Sequence, residues 1–286
     1  MKVSVLIPAF NESAAVRNTV ERVRSTMTGL GLDYETIVID DGSSDETATQ
    51  ATVEGVRVLR HPANAGYGRA LKTGLRHASG DWVAIVDADG SYPIDELPLL
   101  LAKIPAFDMV VGARTGERYR GSRMKWWGRQ LLERMVHFVT GVKVPDVNSG
   151  MRVFRKTIAL ANINRIGNGF SFTTTLTLAM LLEGHFVLYV PISYLARVGS
   201  SKVQMRRDTL RVLQILVMAV VSYNPIKLFL LLVYLQVLAL IPCLIADVLL
   251  AGGAHVGLIS AIGSAAALLL FGMGLITDVL RRLPTA

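Results

Sequence analysis

The sequence contains few cysteines, charged residues and aromatic side chains. A single cysteine, Cys243, stands in 286 residues, which excludes an intramolecular disulfide, a zinc site built on thiolates and a dithiol redox pair. Only 18% of the residues are charged and 7% are aromatic, whereas 51% are hydrophobic. With a mean hydropathy of +0.43, this apolar excess is hard to bury in a water-soluble globule. We therefore expect part of the chain to contact lipid.

Several catalytic motifs are also missing. The first predicted strand is followed neither by Gly-x-x-x-x-Gly-Lys-Ser/Thr nor by Gly-x-Gly-x-x-Gly, so a P-loop kinase and a classical dinucleotide dehydrogenase are not supported. The five histidines form no close pair at ligand spacing, which argues against a histidine metal site.

Hydrophobic residues are concentrated near the C-terminus. Two apolar runs, at about 228–251 and 256–279, are separated by a short loop, and each reaches the roughly 20 residues that cross a bilayer as a helix. Gly263 and Ala267 permit close helix contacts, either within this hairpin or between chains, so an oligomer is possible. The sequence predicts a transmembrane hairpin within residues 225–286, preceded by interfacial amphipathic helices at 204–224.

The positions of Lys and Arg predict the orientation of the hairpin. They flank both spans and are absent from the loop between them, and such residues favour the cytoplasmic side. We expect a protein of the cell membrane with two spans and both termini in the cytoplasm. The net charge of +8 favours anionic lipid headgroups or a phosphorylated substrate as partners, and no nucleic acid. The flanking residues are Arg206, Arg207, Arg211 and Lys227 before the first span, and Arg281 and Arg282 after the second.

Short apolar runs in the first part of the chain predict buried strands. They lack polar alternation, which is typical of parallel strands covered by helices on both faces. Apolar residues at helical spacing between them, such as Val16, Val20 and Val23, predict the covering helices. The fold class is therefore α/β with a mostly parallel sheet. The predicted strands are Val3–Ile7, Thr36–Ile39, Val56–Leu59, Trp82–Val86 and Met109–Val111.

Polar side chains follow most of these strands, at the edge where open α/β sheets bind ligands. Taken singly, each is also explained by a helix cap or a turn. Several acids at one edge repel one another, however, and a bound cation or donors from a ligand offset that repulsion. The spacing of Asp87 and Asp89 suits Mg²⁺ or Mn²⁺ held together with substrate phosphates. The residues concerned are Asn11, Glu12, Asp40, Asp41, Asp87, Asp89 and Arg114.

In their order along the chain, these motifs resemble glycosyltransferase family 2, which implies the Rossmann-like GT-A fold. Two later segments, 148–155 and 197–202, resemble the motifs of polyprenyl-phosphate glycosyltransferases, the branch of the dolichol-phosphate mannose synthases. The early motifs are Pro8-Ala9-Phe10-Asn11-Glu12, Asp40-Asp41-Gly42-Ser43-Ser44-Asp45, Asn64-Ala65-Gly66, Gly80-Asp81, Asp87-Ala88-Asp89 and Gly112-Ala113-Arg114.

The resemblance implies a role for individual residues. Asp87 and Asp89 would bind the metal, Asp89 with a catalytic role. Arg114 and Arg129, also taken as catalytic, would hold the acceptor phosphate together with Ser149. The residues implied for the nucleotide sugar are Pro8, Ala9, Asn11, Glu12, Asp40, Asp41, Asp87, Ala88, Asp89, Arg197, Ser201 and Lys202.

The composition of the segment from Arg114 to Arg134 is consistent with an acceptor that is a lipid phosphate. Basic residues are interleaved there with Trp126 and Trp127. Arginine binds phosphate through two parallel hydrogen bonds, and tryptophan prefers the headgroup level of a bilayer. An ordinary solvated helix face is the alternative.

These inferences predict a membrane-bound inverting glycosyltransferase. Its cytosolic GT-A domain at 1–203 would move a sugar from a donor of the GDP-mannose or UDP-glucose type to polyprenyl or dolichyl phosphate. Ser91 departs from the mannose synthase pattern, which has Gln there, and leaves a third metal ligand and the identity of the sugar open. The alternatives are a non-catalytic membrane scaffold that binds nucleotide sugar and a processive polysaccharide synthase. Two spans and the missing Gln-x-x-Arg-Trp motif disfavour the synthase.

Overall fold

The computed structural model describes residues 1–116, 119, 123–197, 217, 220–221 and 225–282. The chain divides into two compact units, Met1–Val212 and Leu213–Ala286. The predicted interfacial helices at 204–224 lie almost entirely outside the described residues, as do Ser201 and Lys202. The predicted boundary at 203 therefore stays a prediction.

The first unit is built on a seven-stranded sheet in the order β3-β2-β1-β4-β6-β5-β7. Strands β1 to β4 and the pair β5 and β7 are parallel to their neighbours, whereas β6 runs antiparallel between β4 and β5. The strands are β1 (Lys2–Ala9), β2 (Asp33–Asp40), β3 (Val56–Arg60), β4 (Trp82–Ile85), β5 (Met109–Arg114), β6 (Arg152–Arg155) and β7 (Val187–Ile192).

Helices cover both faces of the sheet because successive strand residues point to opposite sides. On one face Val3, Val5 and Ile7 pack in a cluster with α1 and α4, and on the other Leu6 packs with α3 and α7. The helices of this unit are α1 (Val16–Gly29), α2 (Thr47–Ala51), α3 (Tyr67–His77), α4 (Leu97–Leu101), α5 (Arg123–Thr140), α6 (Lys156–Ala161) and α7 (Phe172–Leu182), with a 3₁₀ turn at Ile94–Glu96.

The second unit contains two antiparallel helices, α8 (Pro225–Ala251) and α9 (Val256–Arg282). Both are long and apolar enough to cross a bilayer, and their apolar side chains are largely exposed. Gln236 Nε2 on α8 donates to the Gly263 carbonyl on α9 at 2.7 Å. A Cβ at Gly263 would collide with Leu240, so the absent side chain permits close approach within the hairpin.

The predicted α/β fold is confirmed, and all five predicted strands are present with ends shifted by a few residues. The sequence did not predict β6 and β7. The antiparallel direction of β6 and its position between β4 and β5 are set by tertiary pairing rather than by a local pattern.

A fully buried arginine fastens β6 to its surroundings. Arg152 donates to the carbonyl oxygens of Ser149 and Thr173, the latter at 3.0 Å, and to Thr177 Oγ1 at 3.0 Å. Burial lowers the pKa of this guanidinium, because the charged form loses its hydration. The arginine therefore ties the strand to α7 through neutral oxygens.

Replacing this arginine should destabilise the first unit. In Arg152→Leu the two carbonyls lose their charged donor, and we expect a loss of about 2–4 kcal/mol in the free energy of unfolding. Denaturant unfolding of the full chain in detergent, followed by tryptophan fluorescence, measures this because all three tryptophans lie in the first unit. Arg165→Leu is the matched control, since the Arg165 side chain is 69% exposed. Equal unfolding midpoints for the two variants would contradict the assigned role of Arg152.

Candidate active site

A cavity of about 550 Å³ opens at the carboxyl ends of β1, β2 and β4. These strands are neighbours in the sheet and run in parallel, so the residues that follow them meet at one edge. Four carboxylates from three loops line the cavity together with apolar and backbone groups. They are Glu12, Asp41, Asp87 and Asp89.

Asp41 holds the entrance of α3 in place. Its carboxylate accepts hydrogen bonds from the backbone N–H groups of Ala65 and Gly66, at 3.0 and 2.7 Å, and is 2.7 Å from His61 Nδ1. Gly66 has φ +102°, which other residues rarely adopt. The carboxylate and the glycine together fix the turn that leads into α3.

Arg197 connects two of the acidic loops. Its guanidinium lies 3.0 Å from Glu12 Oε1 and 3.1 Å from Asp89 Oδ2. Burial alone would lower the pKa of Arg197, but the Asp89 and Glu12 carboxylates raise it above its ordinary value. The Arg197 guanidinium therefore stays positively charged at the wall of the cavity.

Asp89 is also held from its own loop. Ser91 donates to Asp89 Oδ1 through its backbone N–H at 2.9 Å and through its hydroxyl at 2.5 Å. Ser91, which stands where the mannose synthase pattern has Gln, thus orients the Asp89 carboxylate.

Asp87 is the carboxylate with the least compensation. Burial and the neighbouring charge of Asp89 raise the pKa of Asp87 to about 6, although Tyr67 donates to its Oδ1 at 2.8 Å. A Cβ on Gly150 would collide with this carboxylate, so a glycine is needed at that position.

The far wall of the cavity comes from a distant part of the chain. The backbone of 167–169 lies so close to Gly68 that a Cβ there would collide with it, and Arg69 N donates to the Asn168 carbonyl at 3.0 Å. Phe170 stacks on Tyr67 with ring centroids 5.8 Å apart. Asn168, Gly169 and Phe170 could not be predicted from the sequence as cavity residues, because nothing local in this loop indicates that it contacts α3.

The predicted acceptor residues form a second cluster. Arg114 makes a bidentate ion pair with Asp146, at 2.7 and 2.9 Å, and its guanidinium lies 4.9 Å from the Tyr119 ring. The Arg129 guanidinium also lies over the Tyr119 ring, 4.3 Å from its centroid, and donates a hydrogen bond to the Tyr119 carbonyl. Asp146 thus neutralises Arg114, and both arginines contact the ring of Tyr119.

The structure brings only some of the predicted residues to the cavity. Asp40 is fully buried, accepts from Ser43 N at 3.0 Å and lies 3.1 Å from Arg60 Nε. Asn11, with φ +50°, accepts from Ser44 N at 2.9 Å. Ser149 is buried and donates to the Gly112 carbonyl at 2.5 Å. The predicted residues that line the cavity are Pro8, Ala9, Glu12, Asp41, Asp87, Ala88, Asp89 and Arg197.

The donor set fits a hard divalent cation in part. Asp87 and Asp89 supply carboxylate oxygens, and their mutual repulsion, visible in the raised pKa of Asp87, is what a cation would offset. Within the described ranges, no group of three or more His, Cys, Asp or Glu side chains could hold a metal ion. A cation here would take its remaining ligands from substrate phosphate or water.

Comparisons with known proteins agree on the family. A family model described as "Glycosyl transferase family 2" matches residues 4–160. Undecaprenyl-phosphate 4-deoxy-4-formamido-L-arabinose transferase from Enterobacter sp. (strain 638) is 34% identical over 55% of this chain and 50% of its own. The same transferase from Klebsiella pneumoniae subsp. pneumoniae is 33% identical over 57% of this chain and 51% of its own. The chain thus spans about half the length of the curated relatives it matches.

Solved structures show the same fold. Glucosyl-3-phosphoglycerate synthase from Mycobacterium tuberculosis, in complex with phosphoglyceric acid, matches with a TM-score of 0.64 and 22% identity, over 76% of this chain and 79% of that one. Its complex with Mg²⁺ and uridine diphosphate matches with a TM-score of 0.62, 22% identity and the same coverage.

The unfavourable electrostatic environment of Asp87 leads to a prediction for the metal-free protein. Because the folded state raises the pKa of Asp87 from 3.8 to about 6, the unfolded state releases this proton first, and stability falls as the pH rises between those values. Asp87→Asn removes the charge and should stabilise the chelator-treated protein by ~1–3 kcal/mol at pH 7.5 and by much less at pH 4, because the gain fades as the pH falls from about 6 to 3.8. Denaturant unfolding at both pH values measures it, with exposed Asp33→Asn as control. A gain independent of pH would contradict this account.

Proposed function

The chain belongs to glycosyl transferase family 2, and from this membership we propose that it transfers a sugar from a nucleotide diphosphate sugar to polyprenyl phosphate at a membrane. The observation that carries the proposal is the cavity lined by Glu12, Asp87 and Asp89, in which Arg197 pairs with Glu12 and Asp89. Two features support the acceptor. The curated relatives are named as undecaprenyl-phosphate sugar transferases, and α8 and α9 are apolar enough to lie in a bilayer.

The donor would occupy the cavity beside β1 and β2. Pro8, Ala9, Asn11, Glu12, Asp40 and Asp41 would hold or shape the region of the base and ribose. Asp40 and Asn11 would act indirectly, since they do not line the cavity and instead accept hydrogen bonds from the backbone of Ser43 and Ser44. Arg197, together with Ser201 and Lys202, would face the diphosphate.

Asp87 and Asp89 would hold Mg²⁺ or Mn²⁺. When bound, such a cation supplies positive charge to the departing diphosphate. Hydrogen bonds within the protein orient both carboxylates, because Ser91 donates to one oxygen of Asp89 and Tyr67 donates to one oxygen of Asp87.

The reaction requires little proton transfer. An oxygen of the polyprenyl phosphate attacks the anomeric carbon, the bond from that carbon to the diphosphate oxygen breaks, and the nucleoside diphosphate leaves. A phosphate monoester is already largely an oxyanion at pH 7, since its second pKa is about 6. The protein must chiefly orient the two substrates and neutralise their negative charges. An in-line displacement of this kind inverts the anomeric centre.

The acceptor phosphate would meet Arg129 first. Arg114 would contribute mainly by holding the cluster together, because Asp146 occupies two of its donors. Ser149 would act through the backbone of β5, to which it is bonded. The proposed site for the acceptor thus consists of Arg129, Arg114 and the Tyr119 ring that both guanidinium groups contact.

The proposed orientation places both chain ends and the first unit in the cytoplasm. Lys227 lies in the first turn of α8 and Arg281 and Arg282 end α9, whereas the Gly252–His255 turn has no Lys or Arg.

Product formation tests the proposal directly. Purified full-length protein is incubated with a panel of radiolabelled UDP- and GDP-sugars, polyprenyl phosphate and Mg²⁺ or Mn²⁺, and the organic phase is counted. We expect lipid-linked sugar whose formation is abolished by EDTA. In Asp89→Asn the rate should fall at least about a hundredfold, because the cation would lose one of its two charged protein ligands. Exposed Asp33→Asn at the opposite sheet edge is the matched control and should retain full activity.

The panel also separates the proposal from its rival. Nucleotide binding without lipid product from any donor would favour a non-catalytic scaffold and contradict the transferase. Lipid-linked product that is unaffected by EDTA would support the transferase activity and contradict the proposed requirement for a divalent cation.

A second prediction separates donor from acceptor recognition. In Arg129→Gln the acceptor phosphate loses a charge-assisted hydrogen bond, and we expect its KM to rise at least about tenfold while the donor KM changes little. Steady-state kinetics with each substrate varied in turn measures the split. Arg165→Gln is the control for removing a surface arginine. A rise in the donor KM alone would assign Arg129 to the other substrate.

A further inference from the structure

A buried lysine lies behind the far wall of the cavity. Lys72 on α3 is 8% exposed, and its ammonium donates to Asn168 Oδ1 at 2.7 Å. Burial and the charges of Arg76 and Arg69 lower the pKa of Lys72, so the charged form is unfavourable at this position. An apolar side chain would fill the same space without that cost, which points to a role for the ammonium other than stability.

The lysine determines how the Asn168 amide is oriented. An ammonium group only donates hydrogen bonds, so the amide atom beside it must be the oxygen. The backbone is fixed as well, because the Asn168 carbonyl accepts from Arg69 N at 3.0 Å and lies against Gly68. Asn168 is exposed and lines the cavity. With its oxygen held by Lys72, the group that Asn168 offers to a ligand is the amide NH₂, a hydrogen-bond donor.

An aromatic ring accompanies this amide. Phe170 lines the cavity and is 43% exposed, and its ring stacks on Tyr67 with an angle of 18° between the two planes. Tyr67 in turn donates to Asp87 Oδ1. The aromatic pair therefore connects the proposed cation site with the far wall, where part of the Phe170 ring is open to a ligand.

We propose that Asn168 and Phe170 recognise the sugar of the donor, and that Lys72 is the residue that positions the Asn168 amide for it. The inference rests on the proposed function, whose donor has two ends. The base and ribose are assigned to the side of β1 and β2, and the diphosphate to Asp87 and Asp89, so the far wall is left for the sugar.

The chemistry of this wall defines the class of ligand. The amide NH₂ requires an oxygen that accepts a hydrogen bond, and the Phe170 ring requires an apolar surface that packs against it. A pyranose offers both, since its hydroxyl oxygens surround a ring whose C–H groups form apolar patches. We therefore expect the wall to distinguish donors by their sugar rather than by their base.

Binding measured without acceptor tests this assignment separately from sugar transfer. Purified full-length protein with Mg²⁺ is titrated calorimetrically with UDP, GDP and a panel of their sugars that includes UDP-glucose and GDP-mannose. In Asn168→Ala, Phe170→Leu and Lys72→Met, the best-bound nucleotide sugar should lose at least about fivefold in affinity, because a contact to the sugar is lost. The matching nucleoside diphosphate should bind as before. Exposed Asn18→Ala and exposed Lys103→Met are the matched controls and should leave both affinities unchanged.

The lysine variant also separates positioning from a structural role. Because the ammonium is buried against a neutral amide, Lys72→Met should leave the denaturant midpoint of unfolding unchanged or raise it, while the affinity for the sugar falls. A lower midpoint together with equal losses for all ligands would identify a merely structural lysine and overturn its assigned role.

Three further results would overturn the proposal. Equal losses for the nucleoside diphosphate and the nucleotide sugar would assign the wall to the nucleotide. Unchanged affinities in all three variants would exclude the wall from donor binding, and the absence of any nucleotide sugar binding to the unaltered protein would exclude the site altogether. If the variants discriminate as expected but no lipid-linked sugar forms, the proposed reaction fails and this inference stands.

Discussion

The repulsion between carboxylates gathered at one edge of the sheet is the constraint on which the first unit depends. Parallel strands β1, β2 and β4 deliver Glu12, Asp41, Asp87 and Asp89 to the same cavity. Most of this charge is compensated from within the chain. Backbone N–H groups serve Asp41, and Arg197 lies against both Glu12 and Asp89. The remaining imbalance falls on Asp87 and appears as its raised pKa.

That imbalance links stability to ligand binding. A site that were fully neutral without ligand would have little reason to attract a cation or a diphosphate. Among the described groups, too little positive charge faces Asp87, although the charged Arg197 guanidinium lies at the same cavity. Under the proposed function, a bound cation would offset the repulsion at Asp87, while the apolar clusters on both sheet faces stabilise the unit around it.

The sequence alone predicted the features that follow local rules. Unbroken apolar runs marked the first five strands, and polar residues directly after β1, β2 and β4 do meet at one edge. The apolar runs near the C-terminus form the two predicted helices. The strands and helices lie within the segments that carry their signals, and the meeting of the loops follows from the parallel direction of β1, β2 and β4.

What the sequence could not predict depends on contacts between distant segments. Nothing near Asn168 or Phe170 indicates that this loop forms a wall of the cavity, because its position is set by the close approach to Gly68. The partner of Arg114 was equally hidden, since Asp146 lies far along the chain. That ion pair neutralises Arg114, which residue type alone could not indicate.

The same ion pair has a topological consequence. Strand β5 ends at the site edge with Arg114, and antiparallel β6 begins at that edge with Arg152. The whole excursion at 115–151, including α5, therefore leaves and re-enters the sheet at one place, and the pair of Arg114 with Asp146 closes its neck. Insertions or exchanges within the excursion need not shift the register of any strand.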